Sequence, residues 1–135
     1  MPNASTLQFL LTLAKGIASQ FGPNCEVVVH DLATNDPERS IVAIENGHVT
    51  GRKVGDGPSH VVLEALRGNP EQLHDHLSYL TRTKDGKILK STTIYIRDDD
   101  GAPIGIFGIN YDITLMLAME NAIKQFTATE KDEKE

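Results

Sequence analysis

The segment from residue 84 to residue 114 constrains the fold more than any other part of the chain. Two apolar runs rich in β-branched residues, 88–97 and 103–114, flank a turn that extends from Asp98 to Gly101. Acidic residues and glycine favour tight reversals, so the two runs predict a long antiparallel hairpin. The turn at 84–86 predicts a further strand at 77–83. Three antiparallel strands without a catalytic motif in their turns favour a sensing domain over an enzyme.

Size, composition and charge narrow the classes of protein. The chain has 135 residues, 39% of them hydrophobic, as expected for one globular domain. No apolar run approaches the roughly 20 residues of a membrane span, and no secretory signal is visible, so cytoplasmic residence is expected. The net charge of -6 argues against direct DNA binding by this chain, because DNA-binding proteins normally present a basic face to the phosphates. Its one cysteine, Cys25, excludes an internal disulfide and is expected to be buried and inert.

The first half of the chain alternates helix and strand signals. Apolar residues at helical spacing over 5–20, after a Ser/Thr pair suited to capping, predict an amphipathic helix that ends at Gly22. Residues 25–32 form a nearly continuous apolar run, which predicts an internal strand of the sheet. Residues 33–39 read as a polar loop containing Asn35, and 40–45 as the next strand. Asn46-Gly47 is a hairpin signal, compatible with a short return strand at 48–50.

The second half begins with a glycine-rich loop at 51–57. Pro58 suits the first position of a helix capped by Gly57 or Asp56, with its apolar face at 61–66. A second short helix is predicted over 71–76, and strands over 77–83, 87–97 and 103–113. An amphipathic helix over 115–128 and a charged, frayed or disordered tail complete the chain. The predicted fold class is α+β, with a five-stranded antiparallel sheet, short helices on one face and a helix at each end.

Several segments together resemble one known family. The segments FGPNCEVVVHDL at 21–32, SIVAIENGHVTGRKVGDGPS at 40–59 and YLTRTKDGKILKSTTIYIRDDDGAPIGIFGINYDIT at 79–114 resemble the YheO-like PAS domain of bacterial transcriptional regulators. The resemblance implies a PAS fold and a regulatory role. In that family a helix-turn-helix domain usually follows, whereas this sequence offers only one further helix, so DNA contact is expected only through a missing carboxyl-terminal domain or a partner. The expected organisation is a flanking helix at 1–22, a sensor domain at 23–114 and a helix with a charged tail at 115–135.

Two groups of polar residues are candidates for ligand binding. The loop at 51–57 can present backbone amides and positive charge to a carboxylate or another small anion. Polar residues near the ends of two apolar strands would converge at one edge of a pocket if those ends are neighbours. Strand alternation places His30 and Asp31 on opposite faces, and Asn110 and Asp112 on the same face as Ile106 and Gly108. The candidate ligand-binding residues are His30, Arg52, Lys53, Gly57, Ser59, Tyr95, Asn110 and Asp112. Each also has a purely structural interpretation, in loop junctions or strand ends.

Both terminal helices carry apolar stripes that need a partner surface, either the chain's own sheet or a second subunit. The predicted homodimer interface comprises Leu7, Leu10, Leu11, Ala14, Ile17, Leu115, Met119, Ile123 and Phe126.

Metal binding, nucleophilic catalysis and cofactor binding find little support in the sequence. His74 and His76 would diverge on a helix, no metal site is fixed by spacing, and there is no serine-nucleophile motif. No cofactor is expected, because no residue is placed by a motif to ligate haem iron and Cys25 is not in a helix suited to flavin chemistry.

The resulting hypothesis is a non-enzymatic sensor domain. A small polar metabolite, such as an amino acid or an organic anion, would bind between the sheet and the helices and shift the packing of the terminal helices. Two alternatives remain open. A dimerisation or protein-interaction module without a ligand predicts a core filled by side chains. A small metal-dependent enzyme predicts clustered His, Asp or Cys groups in an open cleft.

Overall fold

The computed structural model of the chain describes residues 3–33 and 36–134, and these form three α-helices and five strands. The helices are α1 (Ala4–Phe21), α2 (His60–Arg67) and α3 (Thr114–Thr127), and the strands are β1 (Cys25–Asp31), β2 (Ile41–Glu45), β3 (His76–Arg82), β4 (Ile88–Arg97) and β5 (Pro103–Asp112). Short 3-10 helices lie at Pro37–Arg39, Gly47–Val49 and Pro70–Gln72. The predicted α+β class is confirmed.

All five strands belong to one antiparallel sheet in the order β2-β1-β5-β4-β3. The predicted hairpin forms between β4 and β5, with Thr92 opposite Ile109. Strand β1 lies between β2 and β5, and all seven of its residues are buried. The apolar run at 25–32 is therefore an internal strand, as predicted.

Helix α1 covers one face of this sheet. The side chain of Asn3 accepts a hydrogen bond from the backbone N–H of Thr6 at 2.8 Å, so Asn3 is the N-cap and the predicted Ser/Thr pair lies inside the helix. The helix ends at Gly22, which has a φ of 86° that glycine adopts without strain. The main core lies beneath α1 and comprises Leu10, Ala14, Ala18, Cys25, Val27, Val29 and Phe107.

The return strand at 48–50 does not form, and this prediction was wrong. Asn46 adopts the left-handed conformation expected of a hairpin turn, with a φ of 55°. Its side chain, however, donates hydrogen bonds to the carbonyls of Gly22 and Cys25 at 3.2 and 2.8 Å. These bonds fix the end of β2 to the turn after α1, and the chain continues as the 3-10 helix Gly47–Val49 with Val49 buried.

The region between β2 and β3 also differs from prediction. Ser59, not Gly57 or Asp56, caps α2, and Pro58 lies before the cap. Leu63 is the buried residue of this helix, whereas Val61, which was placed on the apolar face, is 75% exposed. The second helix predicted over 71–76 is absent: the segment has the 3-10 helix Pro70–Gln72, and β3 begins at His76.

Helix α3 extends from the end of β5, and none of its residues is buried. Its large apolar side chains are exposed, among them Leu115 at 70% and Phe126 at 90%. Residues 131–134 have no helix or strand, and Asn35 of the predicted polar loop lies outside the described residues. No helix in the described ranges has the length and apolar character that a transmembrane segment requires.

Candidate ligand-binding cavity

A cavity of about 1340 Å³ lies on the face of the sheet opposite α1. Its wall includes Val28 and His30 from β1 and Ile106, Gly108 and Asn110 from β5, while residues of α2 and of the segment before β3 line the other side. Strand alternation explains this division, because the intervening residues of β1 pack beneath α1. The volume exceeds the roughly 300–1,000 Å³ of typical ligand pockets, so there is room for a solute.

His30 is the most deeply buried of the predicted ligand residues, at 3% exposure. Its Nδ1 is 2.7 Å from the hydroxyl oxygen of Ser40, which is fully buried. Burial, and then the positive charge of Arg52, lower the pKa of His30 to about 4. The imidazole is therefore neutral at neutral pH.

Three more of the predicted residues line the same cavity in different ways. Arg52 is half-buried and comes from the glycine-rich loop. Tyr95 comes from β4, and its pKa is raised, chiefly by burial. Ser59 lines the wall at the start of α2, where its hydroxyl oxygen accepts a 3.5 Å hydrogen bond from the Val62 N–H.

A hydrogen-bonded row of side chains runs along the cavity side of the sheet from β3 to β1, and Thr81 and Asn110 are its members that line the cavity. Thr81 donates to Ser91 at 2.9 Å, Ser91 donates to Asn110 at 2.7 Å, and Asn110 donates to Glu26 at 2.9 Å. Glu26 is fully buried and also accepts from the N–H and hydroxyl of Thr50, at 3.0 and 2.7 Å. This row ties four strands to the segment that carries Arg52.

The row includes Glu26, which was not among the predicted site residues. A usable signal was present, because Glu26 and His30 are polar residues four apart in an otherwise apolar buried strand. Such residues share one face of a strand, and a buried polar side chain requires a hydrogen-bonding partner on that face.

Three predicted ligand residues do not line this cavity. Lys53 is exposed, and its backbone N–H donates to Asp56 at 3.0 Å. Gly57 lies against the backbone of Glu38, where a Cβ atom would be only 2.6 Å from the Glu38 Cα. Asp112 accepts hydrogen bonds from the N–H and hydroxyl of Thr114, at 3.0 and 2.6 Å, at the junction with α3.

The condition for convergence of the polar strand ends is not met: β1 and β5 are neighbours, but the two strand ends lie at opposite ends of the pair. Because the two strands are antiparallel, His30 lies opposite Ile106 and Asn110 lies opposite Glu26. His30 and Asn110 are therefore separated along the cavity floor by four residues of strand, roughly 13 Å at the usual rise. Each contributes to a different part of one wall.

Neither metal binding nor cysteine-based catalysis is supported by a cluster of suitable side chains in the described residues. His74 lies in the segment before β3 and His76 begins that strand, so neither is on a helix, and the His76 ring stacks on Tyr79 with centroids 3.9 Å apart. No group of three or more potential metal ligands occurs within residues 3–33 and 36–134. Cys25 packs beneath α1, on the face of β1 opposite His30, and burial raises the pKa of its thiol. Cys25 and His30 therefore do not form a nucleophile–base pair.

The predicted dimer residues divide between the two terminal helices. Leu10 and Ala14 are buried against the chain's own sheet, and Leu7 and Ile17 pack at the edge of the same core. The chain's own sheet, one of the two expected partner surfaces, covers Leu10 and Ala14, which corrects the assignment of these two residues to a dimer surface. Leu11 is partly buried. Leu115, Met119, Ile123 and Phe126 of α3 all remain exposed.

A five-stranded antiparallel sheet of this order, with short helices that border an open cavity on one face, defines a PAS-type domain. The chain belongs to the YheO-like PAS domain family, whose model matches residues 1–128. The resemblance inferred from the sequence is thereby confirmed.

The comparisons also identify individual relatives. YheO of Escherichia coli K12 is 38% identical over 106 residues, which cover 73% of this chain and 40% of that protein. The transcriptional regulator DauR of Pseudomonas aeruginosa is 29% identical over 126 residues, covering 93% of this chain and 56% of that protein. An RNA-binding light-oxygen-voltage receptor superposes with a TM-score of 0.49 at 16% identity, over 85% of this chain and 37% of its own. The chain thus spans about half the length of the curated relatives that it matches, and the family is related to transcriptional regulators.

Proposed function

We propose that this chain is the non-enzymatic, ligand-sensing domain of a transcriptional regulator. A small polar metabolite binds in the cavity between the sheet and α2, and its occupancy is signalled through the terminal helices of a homodimer. DNA contact comes from another part of a longer protein or from a partner. The relationship to a transcriptional regulator supports the regulatory role.

The observation that carries this proposal is a cavity whose wall contains polar groups without protein partners. The Tyr95 hydroxyl, His30 Nε2 and the Arg52 guanidinium make no hydrogen bond or ion pair in the described part of the chain. No fully buried side-chain polar atom of the described residues lacks a partner, so these three groups are accessible from the cavity, where a ligand can bond them. A pure dimerisation module would have filled this space with side chains.

The route of the signal follows from the way β5 continues into α3. Asn110 lies in the cavity wall, and two residues later Asp112 holds Thr114, the first residue of α3. A ligand that favours one position of β5 therefore also favours one orientation of α3, provided that it has different affinities for the two states. The exposed apolar residues of α3 supply the surface through which a second copy responds.

Calorimetric titration with a panel of amino acids and small organic acids tests the sensing role. A ligand at 100 times its dissociation constant adds about 2.7 kcal/mol to the stability, which raises the melting temperature by roughly 8 °C in a chain of this length. Ala65→Trp places an indole at the cavity wall and should abolish the signal. Glu64→Trp is the matched control, because Glu64 is the exposed neighbour outside the lining. Silence across the whole panel would contradict ligand sensing and favour the dimerisation module.

A further inference from the structure

Two unpartnered groups in the cavity wall are hydrogen-bond donors. Arg52 is half-buried, and the only hydrogen bond it makes within the described ranges is from its backbone N–H to the Thr50 hydroxyl, at 3.3 Å. Its guanidinium takes part in none of the ion pairs found within residues 3–33 and 36–134. A half-buried guanidinium that faces a cavity without a carboxylate partner is a site for an acceptor from outside the chain.

The second donor is the imidazole of His30, and its tautomer follows from Ser40. Within residues 3–33 and 36–134, the buried Ser40 hydroxyl has one side-chain partner, Nδ1 of His30 at 2.7 Å. If Nδ1 carried the proton, the Ser40 hydroxyl proton would have no acceptor among the described residues, so we assign Ser40 as the donor to Nδ1 and place the proton of the imidazole on Nε2. His30 lines the cavity and only 3% of it is exposed, so its Nε2–H is a donor held in place in the wall.

We propose that the ligand carries a carboxylate that is bound by the Arg52 guanidinium and the Nε2–H of His30. The inference rests on the proposed function and names the chemical class of its ligand. A planar carboxylate matches the two parallel donors of a guanidinium, and the neutral imidazole adds one further bond without requiring a second charge. Arg52 and His30 line the same cavity, and the positive charge of Arg52 contributes to the lowered pKa of His30.

The other charged residues of the lining are of both signs. Arg82, Lys84 and Lys87 lie there with Asp75 and Asp85, and Lys87 is paired with Asp85 at 3.6 Å. The carboxylate assignment therefore depends on Arg52 and His30, and inorganic phosphate serves as a competing anion in the test.

The test compares small carboxylic acids with their own primary amides in calorimetric titrations. The panel pairs each amino acid and organic acid with its amide, for example alanine with alaninamide and benzoate with benzamide, and adds inorganic phosphate. At least one carboxylate should bind at least 10-fold more tightly than its amide. Arg52→Gln should weaken that binding by about 10- to 100-fold, the range for one charge-assisted contact, with no change in the melting temperature of the free protein beyond a few degrees.

Lys53→Gln is the matched control, since it removes the same charge from the next residue, which does not line the cavity. It should change the affinity less than about 3-fold. His30→Leu should weaken binding, and His30→Gln, whose amide nitrogen can replace Nε2, should restore part of it. Equal binding of acids and amides, tighter binding of phosphate, or equal losses in the two charge variants would overturn the carboxylate assignment and leave the sensing role intact. Failure of every compound to bind would overturn both.

Discussion

The buried imidazole of His30 makes the stability of the domain depend on pH in a calculable way. Its pKa falls from 6.5 in an unfolded chain to about 4 in the folded domain. Above pH 6.5 the group is neutral in both states and has no effect. As the pH falls from 6.5 to 4, the unfolded chain binds a proton that the folded domain does not, so the free energy of unfolding decreases. The full difference of 2.5 pKa units corresponds to a loss of roughly 3 kcal/mol.

Urea denaturation of the wild type and His30→Gln at pH 7.5, 6, 5 and 4.5 measures this contribution. Carboxylates elsewhere also titrate in this interval, so the informative quantity is the difference in unfolding free energy between the two proteins at each pH. Glutamine does not titrate, and the difference should shift in favour of the variant by about 2–3 kcal/mol between pH 7.5 and 4.5. His60→Gln is the control: His60 is exposed on α2, and its difference from the wild type should stay within about 0.5 kcal/mol at all four values. A difference for His30→Gln that does not change with pH would refute the burial argument.

Three further results are expected. Gly57→Ala should destabilise the domain by about 1–3 kcal/mol in urea denaturation, because its Cβ would lie 2.6 Å from the Glu38 backbone, whereas Gly16→Ala, with no atom within 4 Å in α1, should stabilise it by about 0.5–1 kcal/mol. Equal effects would contradict the steric reasoning. Ile123→Lys should convert a dimer to a monomer in light-scattering measurements, while Asn121→Lys on another face of α3 should not. Phe107→Ala should cost about 3–5 kcal/mol, since this side chain is 5% exposed in the core beneath α1, and a cost below 1 kcal/mol would place it outside that core.

Much of the sheet was predictable because its strand signals are local. The β4–β5 hairpin follows from two β-rich runs around an Asp-Gly turn, and the family motifs supply the rest of the order. The predictions failed where a residue that carries a local turn signal instead bonds a part of the chain that is distant in sequence. Asn46 has the left-handed turn conformation that the sequence indicates, but its amide binds the carbonyls of Gly22 and Cys25, more than 20 residues away in the sequence. The segment before β3 similarly depends on Asp75, which accepts a 2.8 Å bond from the Tyr95 N–H of a neighbouring strand.

The candidate site was only partly predictable for the same reason. Residue types at strand positions identified His30, Tyr95 and Asn110, all of which lie in the cavity wall. Lys53 and Gly57 belong to the same glycine-rich loop as Arg52, so the sequence predicted that all three contact the ligand. Only Arg52 lines the cavity. Which of two adjacent loop residues faces a cavity depends on the backbone path, and here that path is set by the bonds of Thr50 to Glu26 on another strand.

The contrast between the two faces of the sheet explains why this fold leaves a cavity. On the α1 face, β1 presents Cys25, Val27 and Val29, which an apolar helix covers without unsatisfied groups. On the other face the same strand presents Glu26 and His30, whose polar atoms an apolar helix could not satisfy. Helix α2 buries one residue and therefore forms a partial cover. The polar groups of this face either bond one another, as Glu26 does, or remain accessible from the cavity to water or a ligand, as Arg52 and His30 do.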